Sequence, residues 1–530
     1  EGLGAGLTDA SAIVLKDLKD AREDAYWEIL NLCFSESPEW LARGGPGMNL
    51  IRAPIGASDF GFTEYTYDDT FDGSTDPQLT QFNIEKSAKR WEIFKDIQTV
   101  QPNLQVMFTP WSSPAWMKGH FNGSLRGGSL LEKFEESFVD YMVKFTDEVT
   151  TKKNIRVKKL SLQNEPLYDG ANYPCQKMEA PQQARVGQLL RKKLDAAGYK
   201  DVGLLTYDHN WDKKDYGIDV FDRAANAFDG IAWHCYGGQP DGQNPFNVAY
   251  PNKEVWFTEC TRITQNYEEP WINTRKQFSL LLTGSIDYMT SAVVLWNVAL
   301  LSTEDGFTLP QLPGTCRNCL APILVFQNST KDGTNLTGLN MDAIRTQVKA
   351  GDKEPQSSTN SRRSLTAKTA LRGKKDAKEN HRRAFSGKQK RQDRAPTNFY
   401  PGNTPYIRPY YRMTSDFVTL SHLGRAIRPR NARGSQKRGQ RIGVKTSEDN
   451  FDSPRLFAQM FRTDNADSQG NSRWSLILLQ QNDHFLTGVY EDATIMIRFR
   501  DAVANITLPP GVFTLSWLAP KEGTSSSSDT

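Results

Sequence analysis

The sequence predicts an α/β protein, a (β/α)8 TIM barrel with an accessory β-sandwich domain. Three observations carry that expectation. Eight short apolar runs recur through the first 300 residues, amphipathic stretches alternate with them, and after residue 398 apolar runs return between turns. The division that follows is a barrel over 1–325, a basic insertion over 340–397, a β-sandwich over 398–520 and a flexible tail over 521–530.

The predicted barrel strands are 3–7, 48–52, 104–109, 157–164, 202–207, 230–235, 254–259 and 292–297. Helical patterns fill 84–100, 131–149, 182–197 and 274–288. In the second of these, Phe134, Phe138, Tyr141, Met142 and Phe145 recur three and four residues apart, which makes one apolar stripe suited to packing on a barrel. Residues 473–480, 494–499 and 512–517 read as sandwich strands. No repeat of fixed period is present.

Bulk properties narrow the function classes. The 12 Trp suit both a large core and the stacking of flat sugar faces. The net charge of +3 conceals an asymmetry. Residues 345–394 hold 16 Lys/Arg against 5 Asp/Glu, a local +11 that leaves −8 for the rest. A stretch so charged and so poor in aromatics cannot offset its ordering entropy, so it reads as disordered. Its dibasic pairs, Arg362-Arg363, Arg382-Arg383 and Lys390-Arg391, are processing sites if the chain is secreted. The remainder being acidic argues against a nucleic-acid partner. No apolar run reaches the ~18–20 residues of a membrane span. Sequons at Asn122, Asn328, Asn335 and Asn505 favour secretion or a cell-wall location. No signal peptide is visible. Cys316 and Cys319 read as a small loop disulfide or half a zinc site, and no second Cys-x-x-Cys is present to complete the latter.

Two of the apolar runs end in a lone carboxylate. Ser161-Leu162-Gln163-Asn164-Glu165-Pro166 places Glu165 where a proline stops the strand, and Val255-Trp256-Phe257-Thr258-Glu259-Cys260 is a second apolar run that ends in a lone carboxylate. The C-terminal strand ends are where barrel enzymes do their chemistry. A pair of carboxylates there suits glycoside cleavage, one as proton donor and the other as attacking group. A separation of about 5–5.5 Å gives retention and about 6.5–9.5 Å inversion. Two structural carboxylates in salt bridges are the bland alternative.

The ordered motifs extend further. Gly4-Ala5-Gly6-Leu7-Thr8-Asp9-Ala10, Arg52-Ala53-Pro54-Ile55-Gly56-Ala57-Ser58-Asp59-Phe60, Thr109-Pro110-Trp111-Ser112-Ser113-Pro114-Ala115-Trp116-Met117-Lys118, Asn164-Glu165-Pro166, His234-Cys235-Tyr236, Thr258-Glu259-Cys260 and Leu295-Trp296-Asn297 follow one another along the chain. On these the chain resembles glycoside hydrolase family 30, which includes lysosomal acid β-glucosidase and fungal endo-β-1,6-glucanases. The resemblance implies Glu165 as acid/base and Glu259 as nucleophile of a retaining hydrolase. It implies Asn164 on the sugar 2-hydroxyl, Asp59 on other hydroxyls, Trp111 and Trp296 as aromatic walls, Tyr236 near the nucleophile with His234 its strand neighbour, and Arg52 as a buried arginine near Glu259. A neighbouring arginine should keep Glu259 ionised, and Glu165 should start protonated. Asp208, His209 and Trp211 follow another strand end and are candidates to shape a subsite.

Gly56–Phe60, the Tyr207-Asp208-His209-Asn210-Trp211-Asp212 run, His234-Cys235-Tyr236-Gly237-Gly238 and the Tyr250-Pro251-Asn252-Lys253-Glu254 run resemble the fungal branch, so β-1,6-glucan is the expected substrate. The alternatives are glucosylceramide or another β-glucoside and, behind these, a non-catalytic carbohydrate-binding barrel. The chemistry calls for no metal or organic cofactor, and no metal-ligand cluster is evident in the sequence. Family members carry strands ahead of the barrel. Here Gly2 already lies at the first strand, which points to trimming or an incomplete gene model. Cys235 and Cys260 follow strands six and seven, where a disulfide or two small buried thiols are the alternatives.

Overall fold

A computed structural model describes residues 2–70, 72–119, 124–263, 270–303, 308–326, 410–427, 439–444, 456–481, 483–484 and 489–521. The basic stretch 345–394 with its dibasic pairs, and the sequons at Asn122, Asn328 and Asn335, lie outside the described residues. Asn505 is exposed on a strand.

Eight parallel strands close a barrel in chain order: β1 (Gly2–Gly6), β2 (Leu50–Ile55), β3 (Gln105–Pro110), β4 (Val157–Ser161), β5 (Gly203–Asn210), β6 (Gly230–His234), β7 (Glu254–Glu259) and β8 (Ala292–Leu295). The seam closes where Gly2–Ala5 pairs with Ala292–Leu295. Around it run α1 (Asp9–Ala21), α2 (Glu23–Phe34), α3 (Pro38–Ala42), α4 (Ala88–Val100), α5 (Glu135–Lys153), α6 (Ala180–Ala196), α7 (Asp215–Ala224), α8 (Asn244–Ala249) and α9 (Pro270–Leu280). Thr8 caps α1, accepting from Ser11 N–H at 3.2 Å, and Asn154 ends α5 in the left-handed region at φ 54°. The α5 stripe is buried, and Phe145 meets Phe108 of β3 edge-on at 5.0 Å.

The barrel interior is filled. Leu50, Met107, Leu205, Ala232, Trp256, Ala292 and Val294 form one apolar cluster within it. Side chains alternate faces along a strand, so the residue two positions further on points inward again, one layer nearer the C-terminal mouth. That step leads from Leu50 to Arg52, from Met107 to Thr109, from Ala232 to His234, from Trp256 to Thr258 and from Val294 to Trp296.

Two strand bounds differ from the sequence expectation for a physical reason. β2 continues through Pro54 to Ile55, paired with Thr109 and Pro110 near the strand end, where a missing N–H costs little. β4 stops at Ser161, after which the chain leaves the ladder and Glu165 takes φ 46°.

Beyond the barrel, β9 (Ala299–Ser302), β10 (Thr308–Leu309), β11 (Ile323–Phe326) and β12 (Tyr411–Met413) form a sheet in the order β10-β9-β11-β12. Helix α10 (Ser415–Ile427) follows. Strands β13 (Gln440–Ile442), β14 (Leu456–Thr463), β15 (Ser472–Gln480), β16 (Asp483–His484), β17 (Val489–Tyr490), β18 (Ala493–Phe499), β19 (Ala502–Leu508) and β20 (Gly511–Ala519) make a sheet β13-β14-β15-β20 and two hairpins. Phe499 of β18 packs edge-on between Trp474 of β15 and Trp517 of β20, at 4.9 and 5.1 Å. His422 ties α10 to β20 through Thr514 at 2.8 Å.

Candidate active site

The mouth of the barrel gathers carboxylates around one guanidinium. Arg52, on β2 and wholly buried, donates to Glu259 Oε2 at 2.7 Å, to Asn164 Oδ1 at 2.7 Å and to Asp208 Oδ2 at 2.9 Å. Strands β2, β5, β7 and the end of β4 are thereby joined through one side chain. Asp208 also accepts from Thr258 at 2.6 Å, from Thr109 at 3.1 Å, and lies 3.0 Å from His234 Nε2. His234 turns its other nitrogen toward Glu165 Oε1 at 3.4 Å, and His209 Nδ1 lies 3.6 Å from the same oxygen. Tyr173 donates to Glu165 Oε2 at 2.9 Å, and Tyr236 donates to Glu259 Oε1 at 3.0 Å.

Backbone irregularities allow successive residues to share this site. Between β5 and β6 the register shifts, so that Tyr207 pairs with Ala232 and His209 with Trp233. Asp208 is the extra residue of a bulge. Bulges re-aim side chains, and here both Asp208 and His209 face the mouth. The same happens on β7, where Phe257 pairs with Trp233 and Glu259 with His234. Thr258 is then the extra residue, and both it and Glu259 reach the cluster. Glu165, Tyr207, Asp208 and Asn297 all have positive φ, and such strain in non-glycine residues concentrates at functional sites.

Trp111 and Trp296 stack at 5.3 Å with 22° between planes, and Arg52 lies 4.9 and 5.7 Å from the two rings. Each indole is only 2% exposed, so the pair floors the site under Arg52. Gly6 makes room for it, since a Cβ there would stand 2.8 Å from Trp296 Cε3. Tyr236 is exposed at the rim. Asp59 follows β2 and feels the charges of both Glu259 and Glu165.

The electrostatics follow from crowding. Burial and then the charge of Glu259 push the Asp59 carboxyl well above its usual range. Burial raises Asp208 too, but Arg52 and His234 outweigh it and hold that carboxylate ionised. His234 is pushed up to about 9: burial opposes its charge, and Glu259, Asp208 and Glu165 favour it more strongly. Burial is the largest influence on Glu259 and raises it against the pull of His234 and Arg52. Burial also raises Glu165, yet the two histidines overcome it and the net direction is down. The sequence expectation had Glu165 starting protonated. The direction of that shift runs against the expectation, because the imidazoles of His209 and His234 favour the carboxylate form of Glu165.

Every sequence-predicted site residue, namely Arg52, Asp59, Trp111, Asn164, Glu165, His234, Tyr236, Glu259 and Trp296, falls at this mouth. Of the three looser candidates, Asp208 and His209 join it. Trp211 does not: its Nε1 donates to Gln243 at 2.8 Å and its ring stacks on Phe257 at 5.6 Å, away from the cluster. Tyr173, in the loop after β4, was missed, and no local sequence signal marks it. Two disulfides are present. Cys235–Cys260 joins the residues just after His234 and Glu259, and Cys316–Cys319 closes the short loop, which disposes of the half-zinc-site reading for that pair.

Residues 1–271 match the model of the glycosyl hydrolase family 30 TIM-barrel domain. The chain is 29% identical over 342 residues to an endo-1,6-β-D-glucanase of Trichoderma harzianum, a match covering 61% of this chain and 64% of that protein. It is 30% identical over 172 residues to putative glucosylceramidase 1 of Caenorhabditis elegans, covering 31% of this chain and 30% of that one. The chain thus spans less than two thirds of the length of these curated relatives. In structure it is similar to the endo-β1,6-glucanase BT3312, with TM-score 0.68 at 20% identity, over 98% of this chain and 91% of that one.

Proposed function

Because the chain belongs to glycosyl hydrolase family 30, we propose that it is a retaining β-glycoside hydrolase acting within β-1,6-glucan. The observation that carries this reading is the placement of Glu165 and Glu259 at the C-terminal ends of two barrel strands, each held in its own hydrogen-bond set, Glu165 by Tyr173 and His234 and Glu259 by Tyr236 and Arg52.

In this reading Glu259 attacks the anomeric carbon while the bond to the leaving oxygen breaks. Glu165 passes a proton from His234 Nδ1, 3.4 Å away, to that oxygen and is left a carboxylate. The product is an ester between sugar and Glu259. Once esterified, Glu259 carries no charge, and Glu165, now a carboxylate, takes a proton from water as the water attacks the same carbon. Tyr236 and Arg52, one on each oxygen of Glu259, fix the angle of attack. Asn164, its Oδ1 taken by Arg52, has Nδ2 as a donor for the 2-hydroxyl. Asp59 receives further hydroxyls. No cofactor enters these steps.

The choice of β-1,6-glucan rests on likeness to glucanases of that linkage. The shorter stretch shared with glucosylceramidases keeps glucosylceramide as a second reading. Secretion accords with two disulfides, which persist in oxidising compartments. Product analysis on β-1,6-glucan and glucosylceramide, with Glu259→Ala as control, tests the proposal. Oligosaccharides of retained anomeric configuration from the glucan, absent in the variant, support it. Glucose and ceramide move the chain to the second reading, and cleavage unchanged in the variant removes Glu259 as nucleophile.

A further inference from the structure

Three side chains from three strand ends converge on one point, and one of them, His209, has no part in the glycosidase steps. Glu165 Oε1 lies 3.4 Å from His234 Nδ1 and 3.6 Å from His209 Nδ1, and the three atoms all fall within 4.8 Å of one another. His209 Nδ1 is buried and has no hydrogen-bond partner among the described residues. We propose that Glu165, His209 and His234 form a binding site for a divalent transition-metal ion of the zinc class, and that the bound ion inhibits hydrolysis.

The spacing suits such an ion. A tetrahedral zinc with ligands at about 2.0–2.2 Å has neighbouring donor atoms about 3.3–3.6 Å apart. Two of the three separations, 3.4 and 3.6 Å, are near that value, and the third is within 4.8 Å, so an ion would draw the two imidazoles together. The supporting shell is also in place. His234 turns Nδ1 to the site, where a bound ion would displace its proton, while its Nε2 faces Asp208 Oδ1 at 3.0 Å, the carboxylate–histidine arrangement that orients imidazole ligands. Tyr173 holds the second oxygen of Glu165 at 2.9 Å and leaves Oε1 for the ion. Imidazole donors favour zinc, copper or nickel over magnesium or calcium. Three protein ligands leave a fourth position open.

The inhibitory half rests on the glycosidase reading, because a metal on Oε1 occupies the oxygen that must carry the proton. The binding half does not rest on it, and the experiment separates them. Untagged, metal-stripped full-length protein is dialysed against zinc chloride and the retained ion is counted. The expected result is one ion per chain whose Kd weakens at least tenfold in both His209→Ala and His209→Asn, each checked for unchanged circular dichroism. Cobalt on the unmutated protein should give the intense visible bands of a four-coordinate ion, a readout that needs no variant. Glucan hydrolysis should fall with zinc and return with a chelator. No retained ion, affinity unchanged in both variants, or a six-coordinate cobalt spectrum overturns the site. Retention with the cobalt signature but without activity on any β-glycoside upholds the site and defeats the glycosidase reading instead.

Discussion

Arg52 crosses the barrel from β2 to β7 and meets Glu259 at 2.7 Å in a pocket where the guanidinium has no exposure at all. The same cation serves Asp208 and Asn164. Removing it strands two buried carboxylates. Arg52→Met should therefore destabilise the fold by about 3–5 kcal/mol. Arg52→Lys, which keeps the charge but cannot fork between three partners, should cost less stability and still reduce kcat. Thermal denaturation alongside turnover separates the two effects. Equal stability in all three proteins would show that the carboxylates find other partners.

The two glutamates should respond differently to the leaving group. Glu165→Ala should lower turnover of glucan by roughly 10²–10⁴, the usual worth of a general acid. It should spare the first step on an aryl glycoside whose phenolate needs no proton, and added azide should yield a glycosyl azide. Glu259→Ala should be inactive on both. If azide rescues neither variant, or restores Glu259→Ala with retained configuration, the roles are misassigned.

Gly6 bears on the aromatic floor. Gly6→Ala puts a methyl 2.8 Å from Trp296, so either the indole or β1 must shift. The expected outcome is a loss of about 1–3 kcal/mol, as for other overpacked sites, together with a raised KM. Denaturation midpoints and substrate titration read both. A variant matching the parent in each would mean the Trp111–Trp296 stack does not depend on β1.

Asp416, in the first turn of α10, is the clearest source of pH-dependent stability outside the site. Burial pushes its carboxyl up to about 7, against the pull of Arg262. Both of its oxygens lack hydrogen-bond partners among the described residues. Below about pH 4 the group is neutral in folded and unfolded chains alike and contributes nothing to the difference. As pH rises from there, the unfolded chain ionises first, so the fold loses stability until about pH 7 and remains penalised above it. Asp416→Asn should match the parent at acid pH and gain on the order of a few kcal/mol at pH 7 and above. Urea midpoints measured from pH 4 to 8 check this; a constant offset across the range would mean that Asp416 does not titrate in the fold.

Much of this was legible because the barrel repeats one simple rule. Apolar runs marked all eight strands, and the residue two steps beyond a core residue was, in strand after strand, a residue of the site, as with Leu50 and Arg52 or Val294 and Trp296. The rule fails where the backbone departs from it. Asp208 and His209 are neighbours, and strict alternation would send them to opposite faces. Only the bulge at Tyr207–His209 turns both toward the mouth, and no sequence signal marks a bulge there. The cluster of Glu165, His209 and His234 was invisible for a related reason: its members lie at the ends of three different strands, with none of the close spacing that betrays metal ligands within one segment. The downward direction of the Glu165 shift comes from the same convergence.

The disulfide Cys235–Cys260 ties the chain one residue after His234 to the chain one residue after Glu259. The register shift between those strands lies immediately before it. A chain made where thiols stay reduced keeps the backbone pairing of all eight strands, which owes nothing to sulfur, yet lacks this covalent stitch at the edge where Glu165, Asp208 and Glu259 gather. A preparation's redox history, and not its sequence alone, therefore decides whether these two strand ends are covalently joined.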